Sequence, residues 1–127
     1  MTTILIIEDT QDNFDLIEDA LEDMYELVHA ATGPEGLHQA TELIPDLILL
    51  DMGLPDMDGW EVVRHLKADP SLTRVPVIAI TSHAMSGDRE KCMEAGCDDY
   101  MAKPINTREL KCLIERNLAQ AKVRQTQ

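Results

Sequence analysis

The chain of 127 residues has the usual size of one domain and is long enough to bury a core without metal ions or disulfides. Its 11 Lys and Arg against 24 Asp and Glu leave a net charge of -13, which repels nucleic-acid phosphates and anionic lipid surfaces. Direct binding to DNA, RNA or a membrane is therefore disfavoured.

The amino-terminal residues and the cysteines lead us to expect a cytoplasmic protein. The apolar run from Ile4 to Ile7 is too short for a signal peptide or a transmembrane helix, and no basic region precedes it. Cys92, Cys97 and Cys112 lack C-x-x-C spacing, so neither a disulfide framework nor a zinc site is indicated. The four histidines also lack ligand spacing and are interpreted as surface or packing residues.

Apolar runs and helical periodicities alternate along the chain. Strands are predicted in chain order at residues 3–7, 26–31, 46–50, 77–80 and 99–102, and the first and third of these are apolar runs typical of strands buried on both faces. Apolar residues at helical spacing predict helices at residues 12–24, between Pro34 and Pro45, at 60–67 and 85–95, and after a cap at Asn106 or Thr107. Strict alternation predicts an α/β fold with a parallel sheet covered by helices on both faces. We expect one domain at residues 1–120 and a polar, frayed tail at residues 121–127.

Reactive side chains follow four of the five predicted strands. Glu8 and Asp9 come after the first strand, and Asp51 comes after the third. Thr81 follows the fourth strand, and Lys103 follows the fifth. Because ligands bind an open parallel sheet outside the carboxyl ends of its strands, we expect all of these side chains to share one crevice.

The expected crevice has the chemistry of a phosphoryl-transfer site. Three crowded carboxylates repel one another, and a hard divalent cation such as Mg2+ is the natural compensation. A lysine, a hydroxyl and Mg2+ together can hold and neutralise phosphoryl oxygens during an in-line displacement. Asp51 can then serve as the nucleophile.

Four stretches of the sequence resemble the receiver domains of bacterial response regulators. They are Ile7-Glu8-Asp9, Leu50 to Gly59, Ile80-Thr81-Ser82 and Tyr100 to Pro104. Each stretch alone is a weak signal, but together they are highly specific. The resemblance covers the chain from about Thr3 to Leu118.

This resemblance implies a CheY-like, stand-alone receiver domain. Its fold is then a flavodoxin-like (βα)5 three-layer sandwich, with a parallel five-stranded sheet of order 2-1-3-4-5. Asp51 would accept a phosphoryl group from a histidine kinase or a histidine phosphotransfer protein. Asp9, Asp51 and the carbonyl of Gly53 would ligate Mg2+, and Glu8 would hold the metal through water.

The resemblance also implies a switch beside the acceptor. Lys103 would pair with the phosphoryl oxygens, and Thr81 would donate a hydrogen bond to them. Tyr100 would turn inward as Thr81 moves, reshaping the face made by the fourth helix, fifth strand and fifth helix. A downstream effector protein would bind that face. The Lys103-Pro104 bond resembles one that is usually cis in the family.

The lifetime of the phosphorylated state is left open by the sequence. Gly53 and His83 occupy the positions that tune the access of water to the phosphoryl group in the family. Ser82 stands where a small alanine is common. These departures leave the motif intact and bear only on the rate of hydrolysis.

We expect a signalling switch rather than a turnover enzyme. Other functions fit the sequence less well. A Mg2+-dependent aspartyl-phosphate phosphatase of the haloacid-dehalogenase type needs D-x-D at its nucleophile, whereas the chain reads Asp51-Met52-Gly53. An interaction module without phosphorylation would need none of the crevice residues. A receiver excised from a hybrid histidine kinase remains an alternative, since residues 84–104 resemble such receivers as well.

Overall fold

The computed structural model describes residues 2–81 and 88–125, in which strands and helices alternate. The strands are β1 (Thr3–Ile7), β2 (Glu26–Ala30), β3 (Leu47–Asp51), β4 (Val77–Thr81) and β5 (Asp99–Ala102). The helices are α1 (Gln11–Leu21), α2 (Gly33–Leu43), α3 (Gly59–Ala68), α4 (Asp88–Ala95) and α5 (Thr107–Gln125). No helix in this described part of the chain is both long and apolar enough to cross a bilayer.

The strands form one sheet of order β2-β1-β3-β4-β5, and every neighbouring pair is parallel. This confirms the predicted flavodoxin-like α/β fold and its 2-1-3-4-5 order. The strand order reverses between β1 and β3, which creates a crevice at the carboxyl edge of the sheet. The residues that end β1 and β3 therefore border the place where a ligand is expected.

Both faces of the sheet are buried, so the inner strands are apolar throughout rather than alternating. Leu5 and Ile7 of β1 pack into a core with residues of α2, α3 and α4. Their neighbours Ile4 and Ile6 pack into a second core with residues of α1 and α5. The molecule is thus a three-layer sandwich with one hydrophobic core on each side of the sheet.

Local hydrogen bonds define the starts of the helices that flank the crevice. Thr32 caps α2 by accepting a hydrogen bond from the Glu35 N–H at 3.1 Å, and Glu35 in turn accepts from the Ala31 N–H at 3.1 Å. Asp58 caps α3 by accepting from the Trp60 N–H at 3.0 Å. Such caps satisfy backbone donors that the helix itself cannot use, and they fix where each loop ends.

Two helix ends differ from the sequence-based expectation. The first helix ends at Leu21 rather than Met24, because β2 pairs Glu26 with Thr3 and the chain must turn before it. The last helix continues to Gln125 with Ala121 buried, so the segment expected to be a frayed tail is largely helical. The start of the fourth helix was expected at residue 85, which lies outside the described residues.

Asp99 joins β5 to α5 and so steadies the strand that leads to Lys103. Its carboxylate accepts hydrogen bonds from Arg116 and, at 2.9 Å, from Asn117. Burial works against ionisation of Asp99, but these bonds and one from the Tyr100 N–H hold its pKa below the usual value. The ionised form is therefore the one that the fold stabilises.

Gly36 in α2 lies directly against the side chain of Ile7 at the end of β1. A Cβ atom at position 36 would lie 2.5 Å from Ile7 Cδ1 and 2.7 Å from Ile7 Cγ1, which is far inside van der Waals contact. Ile7 is fully buried, so displacing its side chain disturbs the close packing around it. We therefore expect Gly36→Ala to lower the free energy of unfolding by about 1–3 kcal/mol, even though alanine has the higher helix propensity. Urea denaturation measures the change.

A double-mutant cycle isolates this contact. Ile7→Val removes the nearest atom, so Gly36→Ala should cost less in that background than in the wild type. Gln39→Ala, a half-buried position on the same helix, serves as the control and should shift stability by only about 0.5 kcal/mol. An unchanged or increased stability of Gly36→Ala would contradict the close packing.

Candidate functional site

The five side chains expected in one crevice do lie at the same edge of the sheet. Glu8 and Asp9 follow β1, Asp51 ends β3, Thr81 ends β4, and Lys103 comes directly after β5. Two backbone hydrogen bonds extend the strand ladders past their ends and set the positions of the loops. Met52 N–H donates to the Ile80 carbonyl at 2.9 Å, and Lys103 N–H donates to the Thr81 carbonyl at 2.7 Å.

The acids form a tight cluster at the point where the strand order reverses. Glu8, Asp9 and Asp51 each place a carboxylate oxygen within 4.8 Å of the others. Glu8 is 1% exposed and Asp51 is 3% exposed, whereas Asp9 is exposed to solvent. Two of the negative charges are therefore buried, and the third lies at the mouth of the crevice.

The pKa of Glu8 responds to its burial and to its charged neighbour. Burial raises its pKa above the ordinary value, and the negative charge of Asp51 raises it further. A hydrogen bond from Asn13 opposes the shift but does not cancel it. The neighbouring protein groups therefore do not fully stabilise the ionised form of Glu8 in this cluster.

Asp51 is oriented by one contact on each carboxylate oxygen. Its Oδ1 accepts a hydrogen bond from the Gly53 N–H at 2.9 Å. Its Oδ2 lies 3.1 Å from Lys103 Nζ, an ion pair in which Lys103 is 22% exposed. Asp51 is therefore a fixed, buried carboxylate with a cation at its side, an arrangement compatible with a nucleophile at an electrostatically stabilised centre.

The cluster fits a hard divalent cation. All of its donors are oxygens, the donor set that Mg2+ prefers. One lysine cannot balance three carboxylates, and the remaining charge calls for a cation. Glu8 Oε2 is also buried and has no hydrogen-bond partner among the described residues. A metal-bound water would satisfy this oxygen.

The expected switch residues lie on β4, which neighbours the strand of Asp51, and on β5 at the edge of the sheet. Thr81 is 9% exposed at the end of β4. Tyr100 lies in β5, half-buried against the core that α2, α3 and α4 share with the sheet. The Lys103-Pro104 peptide bond is cis. His83, expected to tune the access of water, lies outside the described residues.

Two further residues contact the site and were not singled out from the sequence. Asn13, in the first turn of α1, donates to Glu8 Oε1 at 3.2 Å. His29 of β2 contacts the Glu8 carbonyl at 2.7 Å and stacks on Phe14 with ring centroids 4.0 Å apart. The contact of Asn13 could have been predicted, because this asparagine follows the acid pair by about one helical turn. The second depends on the pairing of β2 with β1, which spacing along the chain does not reveal.

Comparison with known proteins gives consistent matches over most of the chain. The family described as the response regulator receiver domain matches residues 4–115. The polar-differentiation response regulator DivK of Brucella ovis is 43% identical over 105 residues, which cover 82% of this chain and 85% of that protein.

Solved structures show the same fold. A CheY-like response regulator receiver domain protein from Methanospirillum hungatei is 32% identical, covers 98% of each chain and superposes with a TM-score of 0.88. The receiver domain of the sensor histidine kinase PA1611 from Pseudomonas aeruginosa is 37% identical, with a TM-score of 0.85 over 93% of this chain and 98% of that one. The latter structure has a magnesium ion coordinated in its active-site cleft.

Proposed function

Because the chain belongs to the response regulator receiver domain family of two-component signalling, we propose that it is a phosphoacceptor switch in which Asp51 takes a phosphoryl group from a phosphohistidine. The observation that carries the proposal is the state of Asp51. This carboxylate is buried at the end of β3, is paired with Lys103 and lies within a cluster of acids suited to a divalent cation.

The transfer is a direct displacement at phosphorus. A carboxylate oxygen of Asp51 forms the new P–O bond as the P–N bond of the donor breaks, and the bonding electrons return to the imidazole nitrogen. Lys103, 3.1 Å from Asp51, keeps a positive charge beside the incoming oxygens. Thr81 supports the phosphoryl group by donating its hydroxyl hydrogen.

The proposed metal site uses residues of two strand ends and one loop. Asp9, Asp51 and the carbonyl of Gly53 would hold Mg2+ directly, and Glu8 would hold it through water. The ion would supply the positive charge that lets an anionic phosphoryl group approach three carboxylates. The oxygen cluster and the unpartnered Glu8 Oε2 support this assignment.

The proposed output is a change of protein surface rather than a turnover reaction. Movement of Thr81 toward the phosphoryl group makes room for Tyr100 to turn inward, which alters the face formed by α4, β5 and α5. The partners are a histidine kinase or a phosphotransfer protein on the input side and an effector protein on that face, all in the cytoplasm. Slow self-hydrolysis, tuned at Gly53 and His83, resets the switch.

Phosphorylation by a small donor tests the proposal. Wild-type protein is incubated with acetyl phosphate, with and without Mg2+, and its intact mass is followed over time. We expect one base-labile phosphoryl group, gained only with Mg2+ and mapped by peptide analysis to Asp51. Absence of both an adduct and released phosphate would overturn the switch mechanism, and a sustained release of phosphate without an adduct would favour a phosphatase.

A further inference from the structure

Glu8 is fixed at two points, one on its side chain and one on its backbone. Asn13 contacts the carboxylate, and His29 contacts the carbonyl. Neither contact has a part in the phosphoryl transfer itself. Both therefore bear on how the acid is held, not on which group reacts.

Asn13 helps to fix the orientation of the Glu8 carboxylate. Its Nδ2 donates to Oε1 at 3.2 Å, and the Thr10 N–H donates to the same atom at 3.1 Å. Since Oε1 is engaged twice, the carboxylate cannot rotate away from this orientation without breaking both hydrogen bonds. Oε2 is buried and unpartnered among the described residues, so it is the oxygen left for the cation site.

His29 holds the backbone of Glu8 from the neighbouring strand. Its Nε2 lies 2.7 Å from the Glu8 carbonyl oxygen, and since a carbonyl only accepts, this nitrogen must carry the proton. The imidazole also stacks on Phe14, with an interplanar angle of 8°. The Glu8 N–H donates to the Ala30 carbonyl at 3.0 Å. Both polar groups of the Glu8 backbone are thus tied to β2, and Phe14 connects this point to α1.

We propose that Asn13 and His29 are positioning residues for the cation site, which hold Glu8 so that Oε2 faces the bound ion. This inference rests on the proposed function, because it assumes that Glu8 supports Mg2+. Neighbours that orient a ligand are commonly worth about 10–100-fold in metal affinity. The effect should therefore appear in Mg2+ binding before any phosphoryl donor is added.

Calorimetric titration of the intact protein with Mg2+ tests the role of Asn13. We expect Asn13→Ala to weaken Mg2+ binding about 10-fold or more. Alanine favours the helix, so the variant should fold, which urea denaturation verifies. Gln11→Ala is the matched control, because this amide lies on the same turn and donates to the exposed Asp15, away from the acid cluster. The control should bind Mg2+ as the wild type does.

Two variants of His29 separate its hydrogen bond from its ring stacking. His29→Phe keeps a ring against Phe14 but removes the donor, and we expect it to weaken Mg2+ binding several-fold. His29→Gln loses the stacked ring but places an amide N–H near the position of Nε2, and we expect it to restore most of the affinity. A residue with a merely structural role would show the opposite ranking, since stability would follow the ring.

The outcomes distinguish this inference from the function on which it rests. If the wild type binds Mg2+ and Asn13→Ala and His29→Phe bind it equally well, the positioning roles are overturned and the switch stands. If the wild type does not bind Mg2+ at millimolar concentrations, both are overturned. Weaker binding by the two variants with unchanged urea midpoints is the result expected of positioning residues.

Discussion

Asp51→Asn is expected to abolish phosphoryl uptake from acetyl phosphate, because the amide offers no anionic oxygen to attack phosphorus. The fold should survive the change. Asparagine has the same shape, its oxygen can still accept from the Gly53 N–H, and one charge is removed from a crowded acidic cluster. Intact mass at several times after mixing measures the effect.

Asp56→Asn provides the matched control for this experiment. Asp56 is exposed in the loop that follows β3 and is not a member of the acid cluster, so the same chemical change is made a few residues away from the acceptor. We expect it to be phosphorylated like the wild type. A phosphoryl group that still appeared on Asp51→Asn would show that another side chain, with Glu8 and Asp9 the nearest candidates, accepts it.

Lys103→Met is expected to slow phosphoryl uptake by roughly 100-fold or more, the usual effect of removing one preorganised charge from a transition state. Methionine keeps the length and the apolar stem of lysine but removes the ammonium group that lies 3.1 Å from Asp51 Oδ2. The loss should appear in the rate constant at saturating Mg2+. Stopped reactions analysed by mass give that constant directly.

Two comparison variants show whether charge alone is sufficient. Lys103→Arg retains the charge on a larger, planar group and should recover only part of the rate. Lys122→Met, near the end of α5 at an exposed position, should leave the rate unchanged. If Lys103→Met were phosphorylated at the wild-type rate, the ion pair would be structural, and the charge at the reacting oxygens would have to come from elsewhere.

The sequence was sufficient to predict the sheet and the composition of the crevice. The apolar runs before Glu8, Asp51 and Thr81 predict buried strands, the short segment before Lys103 is strand-like, and parallel strands bring their carboxyl ends to one edge. Strand order followed from the family resemblance, because many orders satisfy the same alternation of strands and helices.

Contacts that depend on pairing between elements could not be predicted. His29 reaches the Glu8 carbonyl because β2 pairs with β1 in one particular register, and nothing near His29 in the sequence indicates that register. The end of α1 has the same cause: helical spacing extends to Met24, but the pairing of Glu26 with Thr3 requires the chain to turn earlier. Hydrophobic periodicity describes a single segment, whereas the His29 contact and the end of α1 depend on how two strands pair.

The sheet separates two hydrophobic cores, so the side chains of each core pack without contact with the other. Leu5 and Ile6 are adjacent in the chain, yet they belong to opposite cores and share no partner helix. Free-energy effects of substitutions add when the sites have no common neighbours. The helices on one face, α1 and α5, can therefore diverge in sequence without repacking of α2, α3 and α4. One fold can accommodate new docking surfaces on one side while the packing on the other side stays constant.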